Sequence, residues 1–298
     1  MPDPVFVLAM PHCGAARVAA MLGMHTQAYG LPELNLFMAD RLGELLSTFR
    51  RSESRLEDGL LRLVAQLEFG AQTRDTVEQA RQWLEARGQL SVATLSYELL
   101  RKLEPRQAVL PDTSAGWRPQ EFDALLERHP RARIIHLVRH PRAQGDAAID
   151  ALAGRLFIAP DWKDHFGGVS RVDPQLAWLR VQSNLQGLAA LGEAQYRSLR
   201  LEDLRIDPHQ TLNALCAWLG WSAGDAQIEA MLHPETGDFS AYGPENAPFG
   251  AEPEVLERPR FIEDLTEIPP LSEPPPWRAD GQPFATEVIA LAQAFGYD

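Results

Sequence analysis

The residues best placed for chemistry lie close to the start of the chain. Met10–Arg17 reads Met-Pro-His-Cys-Gly-Ala-Ala-Arg, after an apolar run, Val5–Met10, and at the head of Ala15–Met24, rich in Ala, Leu and Met. Pro11 and Gly14 end the apolar run and mark a tight turn. Such a turn between a strand and a helix gathers backbone N–H groups at the positive end of a helix dipole, so it can hold a phosphate without a cationic side chain. It is not a Walker A loop, because no Gly-Lys-Ser/Thr follows. One glycine in a turn fits a plain strand-to-helix connection equally well. Cys13, at the helix start, is either a thiol made reactive by a lowered pKa or simply a small residue in the turn.

A second group surrounds Arg133–Arg139, a β-branched run (Arg-Ile-Ile-His-Leu-Val-Arg) stopped by Pro141. His136 is mid-strand and reads as a satisfied core histidine. His140 falls at the strand's C-terminal edge, where open α/β sheets bind ligands. Cys13 and Cys216 are the two cysteines of the chain, too few for a disulfide framework and without the spacing of a zinc site, so no metal is expected. The net charge is −13, from 28 basic and 41 acidic residues, which argues against nucleic acid as a partner. An anionic ligand needs a local basic site held against that overall field.

The elements that must position these residues follow from periodicity. The 298 residues, 45% apolar and 23% charged, describe an ordinary globular chain, expected as one domain. No stretch approaches the ~18 apolar residues of a membrane span, and no leader pattern opens the sequence, so the expected location is cytoplasmic, with no membrane partner. After a loop marked by Gly30, Pro32 and Asn35, Leu36–Phe69 and Thr73–Arg87 show helical spacing and predict a helical insertion over residues 36–104. A short strand is expected at Ala108–Leu110, helices at Phe122–Leu126, Gln144–Leu152 and Gln175–Gly192, a strand at Tyr196–Leu201, and a helix at Pro208–Leu219 closed by Gly220. Alternating strands and helices predict an α/β fold with a central, mostly parallel sheet in a three-layer sandwich. A long irregular segment then reads as a lid over 237–262 and an extended strap over 264–282, before a last helix near Phe284–Phe295.

Four ordered segments carry a family resemblance. Pro4–Phe37 has the strand, the Pro11-x-x-Gly14 turn and Gly30-Leu31-Pro32-Glu33-Leu34; Ile134–Arg142 reads Ile-Ile-His-Leu-Val-Arg-His-Pro-Arg. Arg200–Leu204 is followed by Asp207-Pro208, and the C-terminal loop reads Gly243-Pro244-x-Asn246-Ala247-Pro248-Phe249-Gly250-x-x-Pro253. Together they resemble bacterial sulfotransferases that use 3′-phosphoadenosine-5′-phosphosulfate, over residues 4 to about 260, with a P-loop-like core. The resemblance implies transfer of a sulfuryl group to a hydroxyl or amine of a small-molecule acceptor.

It also implies roles. The family's donor loop, Pro-(Lys/Arg)-Ser-Gly-Thr-(Thr/Ser), falls on Pro11, His12, Cys13, Gly14, Ala15 and Ala16, so its basic residue and hydroxyls are replaced. Each lost hydrogen bond to a charged phosphate weakens binding by about 1.5–3 kcal/mol, while the backbone N–H groups from Gly14 to Arg17 survive. His12 becomes the cationic candidate and Arg17 a source of added charge. The family's 3′-phosphate Arg and Ser fall on Arg139 and Ala147, with Arg142 one turn on and a salt bridge to Asp146 or Asp150 as the alternative use. Glu33 is the first candidate base and Asp112 the second, either of which could simply cap a helix. Trp117 is a candidate to stack on adenine. Two other outcomes stay open: a homologue that has lost donor chemistry and binds a protein partner, and one that holds another ligand at the same turn.

Overall fold

Five strands form the main sheet among the described residues, in the order β2-β3-β1-β4-β7 with every neighbouring pair parallel. The structure, a computed structural model, describes residues 3–51, 55–118, 120, 122–153, 158, 160–166, 169–260, 269–278 and 280–298. The strands are β1 (Val5–Ala9), β2 (Ala28–Gly30), β3 (Gln107–Asp112), β4 (Arg133–Val138) and β7 (Tyr196–Arg200). A separate antiparallel hairpin joins β5 (Lys163–Phe166) to β6 (Val169–Val172). The helices are α1 (Ala15–Gly23), α2 (Leu42–Arg51), α3 (Asp58–Phe69), α4 (Arg74–Glu85), α5 (Val92–Arg101), α6 (Phe122–Arg128), α7 (Pro141–Leu152), α8 (Gln175–Gln186), α9 (Leu201–Ile206), α10 (Pro208–Leu219), α11 (Asp225–Met231), α12 (Pro253–Glu257) and α13 (Thr286–Ala294).

Parallel strands covered by helices on both faces are apolar on both faces, and β1 is buried at all five positions. Phe6, Leu8 and Met10 join a core with Phe37, Phe122 and Trp178 on one side of the sheet. Val5, Val7 and Ala9 join another with Val18, Ala19 and Leu22 of α1 and Leu212 and Leu215 of α10 on the other. This is the expected three-layer α/β arrangement. Phe6 meets the rings of Phe37 and Phe122 edge-on at 6.1 and 5.5 Å, which locks β1 to the loop after β2 and to α6. The chain goes to one side of β1 for β2 and β3 and to the other for β4, so the carboxyl end of β1 lies at a switch point of the sheet.

Several elements differ from expectation. The segment Gln175–Gly192 is α8 followed by a 3₁₀ turn, Gly187–Leu191, because Gly187 interrupts the α-helical run. The strand β2 has three residues, too few for a periodicity signal. The expected lid contains α12, and the residues ahead of it are pinned to the helical insertion. Asp58 accepts the Phe249 N–H at 3.1 Å, Arg62 donates to the Phe249 carbonyl at 3.0 Å, and Asn246 donates to the Arg74 carbonyl at 3.0 Å. Residues 261 and 262 of the expected lid, and 264–268 and 279 of the expected strap, lie outside the described residues. Among the described residues no helix is long and apolar enough to cross a membrane.

One close approach ties the insertion to the site. A Cβ on Gly59 of α3 would lie 2.0 Å from the Glu33 carbonyl oxygen and 3.4 Å from the Gly250 Cα. Those two loops meet there, with the Glu33 N–H donating to the Gly250 carbonyl at 2.6 Å. Gly59→Ala gains about 0.5–1 kcal/mol of helix propensity but forces backbone apart, which costs about 1–3 kcal/mol or more. The variant is therefore expected to be less stable in urea unfolding, and an unchanged or raised midpoint would contradict the contact.

Candidate functional site

At the carboxyl end of β1 the backbone turns through residues that L-amino acids rarely allow. His12 has φ 64° and Gly14 φ 83°, both left-handed. Gly14 adopts this freely, whereas a non-glycine residue there is held at a cost of about 1–3 kcal/mol. Three side chains from distant elements hold the turn. Gln144 of α7 donates to the Pro11 carbonyl, Arg139 at the end of β4 donates to the His12 carbonyl at 2.8 Å, and Glu252, just before α12, accepts the His12 N–H. The same Glu252 oxygen, Oε1, lies 3.2 Å from His12 Nδ1. No side chain caps the N-terminus of α1, whose N-cap is Gly14.

A cleft opens over this turn. Its walls include His12, Cys13, Gly14, Arg17, Arg139 and Glu252, with Leu201 and Arg205 from α9 and Glu254, Arg258 and Arg260 from α12 and the residues after it. Arg139 is positioned from behind, because Trp178 Nε1 donates to its carbonyl at 3.0 Å. Arg17 reaches across α1 to donate to the Arg258 carbonyl at 3.0 Å. Burial lowers the Arg17 pKa, opposed by Glu254 and Glu252, and arginine stays charged throughout. Five arginines and two glutamates thus line the cleft inside a chain of net charge −13, and the guanidinium of one of them, Arg260, is paired with Glu235. This is the local basic site that an anionic ligand requires.

The structure brings His12, Cys13, Gly14, Arg17 and Arg139 together in the cleft and places the other candidates elsewhere. Cys13 contributes backbone: its side chain is buried, Sγ lies 3.5 Å from the Leu137 carbonyl, and burial pushes the thiol pKa up, so the reactive-thiol alternative is corrected. Ala15 is buried in the core and Ala16 faces a different cavity along the flank of α1. Arg142 is buried and donates to the Glu273 carbonyl at 2.6 Å, so it secures the C-terminal segment and does not line the cleft. Trp117 packs on Trp162 at 5.8 Å, with the Arg180 guanidinium 5.8 Å from its ring, away from the cleft walls. His136 is the expected core histidine, bonded to Tyr196 at 2.7 Å and Gln182 at 2.6 Å. His140 caps α7, accepting the Arg142 N–H, and packs edge-on against Tyr297.

The two candidate bases differ in availability. Asp112 accepts from Ser114 N–H and Oγ at 2.7 Å each, from Ala115 N–H at 2.9 Å and from Leu36 N–H at 3.1 Å. Its carboxyl is committed to two turns, although burial and then Glu33 push its pKa up to about 7. Glu33 receives the N–H and hydroxyl of Thr113 on a single oxygen, Oε1. Burial and then the charge of Glu252 push Glu33 up to about 7.

The sequence model of the sulfotransferase family matches residues 4–225. The chain belongs to the sulfotransferase family. No curated protein sequence matches it significantly. Among solved structures, the sulfotransferase domain of the olefin synthase from Synechococcus PCC 7002 is similar, with a TM-score of 0.72 and 23% identity over 100% of this chain and 96% of that one. The sulfotransferase domain from the curacin biosynthetic pathway is likewise similar, with a TM-score of 0.75 and 19% identity over 100% of this chain and 99% of that one. At these identities the likeness shows a shared sulfotransferase fold.

Glu252, Glu254, Arg205, Arg258 and Arg260 line the cleft and were not singled out by the sequence. The available signal was the dense charge of Glu252-Pro-Glu254 and Arg258-Pro-Arg260 inside the expected lid.

The raised Glu33 pKa fixes a sign. A carboxyl that keeps its proton longer when folded than unfolded makes the protein lose stability as pH rises from about 4 to about 7. Glu33→Gln retains an acceptor for Thr113 and removes that ionisation. Urea unfolding at about pH 5 and about pH 8 is expected to show a smaller stability difference in Glu33→Gln than in the wild type. Equal differences would remove Glu33 as the raised group.

Proposed function

We propose that the protein transfers a sulfuryl group from 3′-phosphoadenosine-5′-phosphosulfate to a hydroxyl or amine of a small-molecule acceptor. The observation that carries the proposal is the cleft over the left-handed turn at the N-terminus of α1, lined by Arg17, Arg139, Arg205 and Arg258 together with Arg260, which is paired with Glu235. A doubly phosphorylated nucleotide fits that donor set, because guanidinium groups and a helix N-terminus are both phosphate ligands. The donor supplies a sulfuryl group whose bond to the phosphate oxygen breaks, leaving the electron pair on that oxygen, as the acceptor oxygen or nitrogen bonds to sulfur.

The residues then divide the work. The turn and the arginines hold negative charge, which replaces the hydroxyls that Ala15 and Ala16 lack. His12 puts an imidazole at the turn, on the charged side of the cleft. Glu33, with a pKa near 7, suits the base that takes the acceptor's proton. The loop it belongs to borders a cavity of about 270 Å³, lined by Leu31 and Pro32, Ala16 of α1, and Tyr29, Phe239 and Ala251. That cavity shares Val255 with the cleft and is the proposed acceptor space.

Calorimetry with adenosine 3′,5′-bisphosphate, the spent donor, tests the proposal. Micromolar binding is expected, weakened about tenfold to a hundredfold in Arg139→Ala, the effect of losing a charged hydrogen bond. No heat at high protein concentration would instead favour a family member that has lost donor chemistry and serves as a binding or scaffolding protein.

A further inference from the structure

The contact between His12 and Glu252 is more specific than turn-building requires. The His12 carbonyl is already held by Arg139 and the Pro11 carbonyl by Gln144. Glu252 adds a grip on both the backbone and the ring of His12 through one oxygen, Oε1, across 240 residues of sequence. The segment that carries it is itself fixed. Gly250 accepts the Glu33 N–H at 2.6 Å, and Glu252 is the N-cap residue of α12.

We infer that Glu252 is a positioning residue for His12: its carboxylate fixes the proton on Nδ1, sets the orientation of the ring and holds the imidazole in the charged form at the turn. The chemistry is that of a histidine oriented by a carboxylate, in which the hydrogen bond at one nitrogen decides what the other can do. It supplies an orientation and a positive charge at the turn.

The surrounding charges act on both partners. Facing the pair are Arg17 from α1, Arg139 from the end of β4, Arg205 from α9, Arg258 and Arg260 after α12, and the carboxylates Glu33 and Glu254. The guanidinium groups disfavour an imidazolium by like charge, so a lone histidine here would give up its proton readily. Glu252 is a carboxylate in contact with the ring, and it reverses that tendency locally. Burial pushes the Glu252 carboxyl pKa up, helped by Glu254 and opposed by the His12 N–H, Arg17 and Arg139.

The kinetic part of this inference rests on the proposed sulfuryl transfer, but its primary test uses the ligand-free protein. NMR titration of the His12 ring, assigned with His12→Ala, is to be compared in wild type, Glu252→Gln and Glu252→Asp. Glu252→Gln is expected to lower the His12 midpoint by about one pH unit, a tenfold change in proton affinity, and to shift the Nδ1 resonance; Glu252→Asp, which keeps the charge, restores most of it. In turnover assays the high-pH limb of kcat moves down by the same amount in Glu252→Gln, with donor KM little changed. An unchanged His12 midpoint in folded Glu252→Gln overturns the inference. So does adenosine 3′,5′-bisphosphate binding that tightens tenfold or more at an unchanged midpoint, which would make Glu252 a plug in the ligand's place. Failure of nucleotide binding with the midpoint shift intact would refute the proposed reaction and leave the pair standing.

Discussion

His12 sits in left-handed backbone at the end of the central strand, and Arg139, Gln144 and Glu252 hold it there from β4, α7 and the segment before α12. A non-glycine residue stays in that conformation when its surroundings over-determine it. The consequence reaches through the fold. Arg139 can hold the turn because Trp178 of α8 fixes its carbonyl, and Glu252 can because the loop before it is bonded to Asp58 and Arg62 of α3. The helical insertion and the C-terminal loop, far apart in sequence, therefore both act on one turn.

Electrostatics give that turn its character. The chain as a whole repels anions, yet five arginines from four regions of sequence line a single cleft above α1. Side-chain hydroxyls, which the resemblance leads one to expect in the loop, are replaced by a buried thiol and two alanines pointing elsewhere. Charge is supplied by side chains reaching over the loop from α1, α9 and the residues after α12. A cleft built this way depends on the C-terminal segment that supplies Glu252, Glu254, Arg258 and Arg260, and that segment is pinned to the helical insertion through Phe249 and Asn246.

The parts of this arrangement that were legible in sequence are those encoded locally. Pro11 and Gly14 mark the turn, Ile134–Val138 marks β4, and Pro208 with Gly220 brackets α10 to the residue, since each boundary is set by a proline, a glycine or a β-branched run. Arg139, which the family resemblance singles out, lines the cleft. What sequence could not show was direction. Arg142, one turn beyond Arg139, faces Glu273; Trp117 lies against Trp162; Asp112 is absorbed by the turn that follows it. Glu252 and Arg258 were hidden for the converse reason, because their partners lie some 240 residues away and only packing brings them together.

The most direct measurement is a crystal structure of the protein grown with saturating adenosine 3′,5′-bisphosphate. The account predicts phosphate density over the turn between His12 and Arg17, within reach of Arg139 and of Arg258 or Arg260. Density confined to the cavity along α1, or a cleft that closes on Glu252 without nucleotide at saturation, would contradict it.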